Sequence, residues 1–120
     1  PSKCWIIWDK GQRDFSLADG EMAWASFDKA MRIFELSRGA ANTETKIHPT
    51  QKPIRLYEWI LSKFAKKGQR VFYSHLGSGS SAIAAHYFGV DFVGCELDKD
   101  YFDAAKARFD MATKQLAMSI

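Results

Sequence analysis

The stretch from residue 73 to 81, Tyr-Ser-His-Leu-Gly-Ser-Gly-Ser-Ser, is the part of this chain best suited to holding a ligand. A strand that turns sharply into a helix needs residues tolerant of unusual backbone angles, and Gly77 and Gly79 supply them. Small residues there also let a ligand approach the backbone, whose free amides point outward at a helix start. Glu96 follows Gly79 by 17 residues. A carboxylate at the end of the next strand can accept hydrogen bonds from two ribose hydroxyls, as the acidic residue of dinucleotide-binding folds does. Position 82 carries Ala82 where the G-x-G-x-x-G fingerprint has its third glycine, a replacement that is sometimes accepted. By itself the pattern fits a nicotinamide site, another nucleoside site, or turn chemistry alone.

Other chemistry-bearing residues point to structural roles. His75 and His86 have no partners at metal-ligand spacing, so no metal site is expected. Cys4 and Cys95 each sit in an apolar, strand-like run, which predicts reduced core thiols in a cytoplasmic protein. The tryptophans at 5, 8, 24 and 59 read as core, with Trp24 the one that could stack on a base if its strand faced DNA. Lys63, Lys66, Lys67 and Arg70 read as cations at the negative pole of a helix. The net charge of +3 permits contact with a phosphate backbone without demanding it.

The elements that must position these residues follow from periodicity. Trp5-Ile6-Ile7-Trp8 predicts a strand buried on both faces. Residues 11–20 predict a loop, and residues 22–27 and 31–36 two strands joined by a tight turn at Asp28-Lys29. Residues 37–46 predict a second loop. A helix opens between Pro49 and Pro53, with Thr50 as its cap, and runs past Phe64 to a stop at Gly68. A strand at 70–73, a helix at 80–88 ending at Gly89, a strand at 91–97 and a helix from Tyr101 to Leu116 complete the chain. Asp98 or Asp100 is expected to cap that last helix. Strand, glycine turn, helix, strand, helix is a βαβα unit, so the fold class is α/β with parallel pairing.

Size and composition bound the rest. A chain of 120 residues with 47% apolar content can bury a core and predicts a single domain over 1–120. No apolar run approaches the ~18 residues of a membrane span, and the first residues lack the layout of a signal peptide.

Ile47-His48-Pro49-Thr50-Gln51-Lys52-Pro53 narrows the alternatives. This run resembles the segment that precedes the glycine turn in S-adenosylmethionine-dependent methyltransferases acting on adenine N6 or cytosine N4 of DNA. The resemblance continues through Leu76-Gly77-Ser78-Gly79-Ser80 and Phe92-Val93-Gly94-Cys95-Glu96-Leu97-Asp98 to Tyr101-Phe102 and Ala104-Ala105, covering about residues 47–109 closely. It implies a Rossmann-like class I methyltransferase fold with S-adenosyl-L-methionine as cofactor and double-stranded DNA as partner, in a restriction-modification setting. It places the run His48 to Pro53 against the methionine moiety, with Thr50 and Lys52 at its carboxylate, Gly77, Ser78 and Gly79 beneath the cofactor, and Glu96 on the ribose. It also implies an aspartate at the position of Tyr73, holding the cofactor ammonium, a charge that tyrosine lacks at neutral pH.

The same resemblance implies a catalytic Asp/Asn/Ser-Pro-Pro-aromatic motif upstream of the glycine turn. The chain has three prolines and no Pro-Pro pair, so no catalytic residue is assigned to it and the fold is expected to be incomplete, lacking upstream strands. The absent strand would leave a gap between residues 71–73 and 5–8. Those edges would pair with another copy or close onto each other. Residues 37–46 leave no room for a sizeable target-recognition insert. A non-catalytic remnant of a phage or restriction-modification methyltransferase is the alternative to an enzyme, and a nucleotide-binding module of another kind is the runner-up among enzymes.

Overall fold

Two runs of β-branched and aromatic residues, Val71-Phe72 and Phe92-Val93, have helical sequence between them. In the computed structural model, which describes residues 3–41, 44, 46–48 and 51–119, with side chains through Lys114, that pattern folds as expected. The chain divides into two compact units, residues 1–43 and 44–120.

In the second unit, β4 (Arg70–Tyr73) and β5 (Asp91–Gly94) pair in parallel, with Arg70 opposite Asp91 and Tyr73 opposite Gly94. Helix α3 (Ser80–Phe88) connects them, and α2 (Ile54–Phe64) packs against α3. The core is built on Leu61, Ala84 and Ala85, with Ile54, Tyr57, Val71, Phe88 and Phe92 packed around them. Small residues on α3 let α2 come close, and Ala84 is fully buried.

Helix α4 (Lys99–Ser119) starts where Asp98 Oδ1 accepts the Tyr101 amide at 3.0 Å, which is the expected cap. Helix α2 is capped differently. Its N-cap residue is Pro53, which has no side chain to offer, and the Ile54 amide donates instead to Glu44 Oε2 at 2.8 Å. The capping expectation for Thr50 falls outside the described residues. Lys63 lies in the last turn of α2, consistent with cations at a helix C-terminus.

The first unit holds β1 (Trp5–Asp9), β2 (Gly20–Trp24), β3 (Arg32–Glu35) and the single turn α1 (Arg38–Ala41), which forms within the expected loop. The expected hairpin between the second and third strands does not form. Both flank β1, β2 antiparallel with Trp5 opposite Trp24, and β3 parallel with Ile7 opposite Ile33. An apolar strand carries a row of amides and carbonyls on each edge, and placing it centrally pairs both rows. So β1 has no free edge, against expectation, and it belongs to a different sheet from β4, whose one strand partner among the described residues is β5.

Burial within the first unit also departs from the sequence reading. Trp8 is buried, its Nε1 donating to the Leu36 carbonyl at 2.9 Å, with the Lys10 ammonium 4.8 Å from its ring centroid. Trp24 is exposed. Register puts it on one sheet face with Trp5, Met22 and Ile33, all exposed too. Cys4 is buried as expected, but Cys95 is exposed, because it carries on the alternation of β5 and falls on the same exposed face as Asp91 and Val93.

Candidate functional site

The ends of β4 and β5 are zipped past their last strand residues. Cys95 N–H donates to the Tyr73 carbonyl at 3.0 Å and Leu76 N–H to the Cys95 carbonyl at 2.7 Å. The chain then folds back on itself, with Gly79 N–H donating to the Leu76 carbonyl at 3.1 Å. Gly77 and Gly79 take φ values of +58° and +84°, which L side chains adopt only with strain. Gly79 is the N-cap of α3, and a Cβ there would stand 3.3 Å from both Cβ and the carbonyl oxygen of Ala105 on α4. The turn is therefore narrow for two reasons, its own backbone conformation and the helix behind it.

Glu96 is anchored by the same turn. Its Oε1 accepts the Gly77 amide at 2.8 Å and its Oε2 the Asp98 amide at 3.0 Å. The Asp98 and Gly77 amides hold its carboxyl below the usual carboxylate range, with the charge of nearby His48 adding to them and desolvation opposing. The carboxylate is thus charged and oriented at neutral pH, and each oxygen keeps a lone pair for a further donor.

A pocket of 310 Å³ opens beside this carboxylate. Two stretches of chain wall it, one carrying His48, Gln51 and Lys52 and the other Tyr73, His75, Gly77 and Ser78, with Tyr57 and Glu96 completing the lining. Gln51 folds its own wall, its Oε1 accepting the Ile47 amide at 2.9 Å and its backbone amide donating to the His48 carbonyl at 3.2 Å. The His48 ring sits 4.3 Å from the ring of Tyr101. Opposite, the hydroxyls of Tyr57 and Tyr73 lie 2.9 Å apart, their rings edge to face.

The structure brings His48, Lys52, Tyr73, Gly77, Ser78 and Glu96 to one pocket. Gly79 stands behind its floor and borders a second, mostly apolar cleft of 390 Å³ between β5, α3 and α4. Thr50 is outside the described residues. Sequence reasoning missed Tyr57, included Gln51 only as part of the run His48 to Pro53, and read His75 as structural, although it lines the pocket with Nδ1 2.8 Å from Ser74 Oγ. Nothing local marks Tyr57, which sits in a helical run and meets Tyr73 only through packing. Among the described residues no cluster of His, Cys, Asp and Glu could hold a metal ion, and no helix is long and apolar enough to cross a membrane.

The pocket gathers a fixed carboxylate, hydroxyls, a lysine and the small residues of the turn around one cavity. That suits a polar ligand that carries hydroxyl and charged groups.

Known proteins resemble this chain in sequence and fold. The model of a family described as DNA methylase, N6 and N4 methyltransferases, matches residues 4–107. The type II methyltransferase M2.DpnII of Streptococcus pneumoniae is 35% identical over 63 residues, which are 52% of this chain and 24% of that protein. The type II methyltransferase M.HpaI of Haemophilus parainfluenzae is 33% identical over 69 residues, 58% of this chain and 22% of that protein. Among solved structures, the M1.HpyAVI–SAM complex superposes with a TM-score of 0.65 at 24% identity, covering 89% of this chain and 61% of that one. TTHA0409 of Thermus thermophilus, a putative DNA modification methylase complexed with S-adenosyl-L-methionine, gives 0.56 at 20% identity over 90% of this chain and 52% of that one. The chain thus spans about a quarter of these curated relatives.

Proposed function

The chain belongs to the DNA methylase family of N6 and N4 methyltransferases, and from that premise we propose that it forms the cofactor-binding part of an enzyme that methylates an exocyclic amino group of adenine or cytosine in double-stranded DNA. The observation that carries this reading is Glu96, held by two backbone amides at the mouth of a glycine turn, with His48 and Lys52 across the pocket. The donor set suits S-adenosyl-L-methionine. Glu96 accepts the two ribose hydroxyls, Gly77, Ser78 and Gly79 give the backbone room, and Lys52, with His48, serves the methionine end, a role the family resemblance also assigns to Thr50. The Tyr73 hydroxyl, supported by Tyr57, stands where an ammonium group would come to rest.

That cofactor supplies an electrophilic methyl group on a sulfonium. The chain's own residues bind and orient it, so that a base amino nitrogen can approach the methyl from the side opposite the sulfur. A target base must leave the duplex to be reached. The residues that would hold it are expected on a Pro-Pro segment that this sequence does not contain. The reading places the protein in the cytoplasm, and it includes association between copies through the edge of β4 that has no strand partner among the described residues, which sedimentation reads directly.

The alternative of a non-catalytic remnant draws on one observation, the Tyr57–Tyr73 hydroxyl pair in place of an acid. Calorimetric titration with S-adenosyl-L-methionine and with its demethylated product, alongside transfer of labelled methyl to plasmid DNA, decides between them. We expect binding of both ligands and no transfer by the 120-residue chain. Absence of binding at millimolar ligand sinks the cofactor reading in favour of the remnant, and transfer by the chain alone sinks the assignment of catalysis to another segment.

A further inference from the structure

Neither Arg108 nor Glu44 lines the pocket, yet together they touch the backing of both its walls. Arg108 reaches from α4, with Nη1 donating to the Ser78 carbonyl at 3.1 Å, Ser80 Oγ at 2.9 Å and, more weakly, Ser78 Oγ at 3.4 Å. Its Nη2 donates to Glu44 Oε1 at 3.1 Å, and the other Glu44 oxygen accepts the Ile54 amide. Ser78 belongs to the glycine-turn wall. Ile54 opens α2 immediately after Lys52-Pro53, the end of the opposite wall. One guanidinium and one carboxylate therefore join two segments far apart in sequence.

The pair is also shielded. The two side chains are 13% and 17% exposed, and the hydroxyls of Ser78 and Ser80 lie 3.1 Å apart beside the guanidinium. In such surroundings an ion pair is screened little by salt, and removing one partner strands the other. Only arginine fits the geometry. Its planar fork directs one nitrogen at the turn and the other at Glu44, whereas a lysine ammonium cannot span both.

We infer that Arg108 and Glu44 act as a clamp that sets the spacing between the two walls of the pocket, which makes both of them positioning residues for the cofactor. This rests on the cofactor reading above. A residue serving fold stability alone would change melting temperature and leave the affinity of the folded protein intact. A clamp changes that affinity, and changes it from either end.

The test uses the purified protein and its Arg108→Gln, Arg108→Lys, Glu44→Gln and Arg108→Gln/Glu44→Gln variants, each held well below its own melting temperature. Calorimetry reads S-adenosyl-L-methionine affinity, and amide exchange reads the ligand-free backbone at residues 77–80 and at Ile54. Arg108→Gln and Glu44→Gln are each expected to weaken binding on the order of 10-fold or more, with the double variant little worse than the weaker single one, since both remove one coupled unit. Arg108→Lys is expected to keep most of the melting temperature but not the affinity. Either single substitution should accelerate exchange in both walls. Parent-like affinity in folded Arg108→Gln, or acceleration confined to the wall that lost its own partner, overturns the clamp. Should Arg108→Gln fail to fold, Arg108→Lys and Glu44→Gln carry the same comparison. If the parent itself does not bind the cofactor, the cofactor reading fails, and the exchange pattern alone then upholds or overturns the clamp.

Discussion

Gly79 and Gly68 adopt nearly the same left-handed conformation, φ +84° and +86°, but in opposite surroundings. A Cβ at Gly68 would meet nothing within 4 Å, while one at Gly79 would stand 3.3 Å from both Cβ and the carbonyl oxygen of Ala105. Replacing each by alanine separates backbone strain from packing. The left-handed conformation costs an L residue about 1–2 kcal/mol, and restricting the unfolded chain returns roughly 0.4–1 kcal/mol. Gly68→Ala should therefore destabilise by about 0–1.6 kcal/mol. Gly79→Ala carries the same strain plus a contact that Ala105, buried on α4, can relieve only by shifting its helix. Overpacking of that kind adds about 1–3 kcal/mol. At roughly 4 °C per kcal/mol for a domain of this size, Gly68→Ala should lower the melting temperature by about 0–6 °C and Gly79→Ala by about 4–18 °C. Thermal unfolding followed by circular dichroism measures both. Equal losses in the two variants would show that α4 does not press on the turn, and the account of why the turn is narrow would be wrong.

Three further outcomes are expected. Glu96→Gln should weaken S-adenosyl-L-methionine binding on the order of 10–100-fold by calorimetry, since a neutral amide accepts more weakly from hydroxyl donors and offers a single acceptor oxygen; unchanged affinity would remove Glu96 from the site. Tyr73→Asp should tighten binding roughly 3–10-fold at low salt by placing a carboxylate near the cofactor ammonium and sulfonium, and a folded variant that binds no better would show that Tyr73 does not face the ligand's cationic end. Asp9, whose carboxyl is held at a pKa of about 2 by hydrogen bonds from Arg13 and the Gly11 amide, should titrate near that value by NMR. Because its folded pKa is depressed, its contribution to stability is complete above the ordinary aspartate value of 3.8 and is lost as pH falls through about 2, and Arg13→Ala should return the titration toward the ordinary carboxylate range.

The sequence by itself determined the elements whose signals are local. Strand β4 at Arg70–Tyr73 and helix α3 at Ser80–Phe88 lie where apolar runs and bracketing glycines put them, and Asp98 caps α4 because a carboxylate three residues before an amide needs no distant partner. The glycine turn and Glu96 were legible for the same reason, being bound to consecutive elements of one βαβ unit. Tertiary structure decided whatever depended on pairing across long stretches of chain. Adjacency suggested that β2 and β3 would pair with each other, but the need to pair both edges of apolar β1 drew them to opposite sides of it, and the resulting register exposed Trp24. Tyr57 and Tyr73 meet only because α2 packs beside β4. The Arg108–Glu44 pair, 64 residues apart, leaves no periodic trace, since a charged residue on an amphipathic helix reads as solvated until the fold shows what lies beneath it.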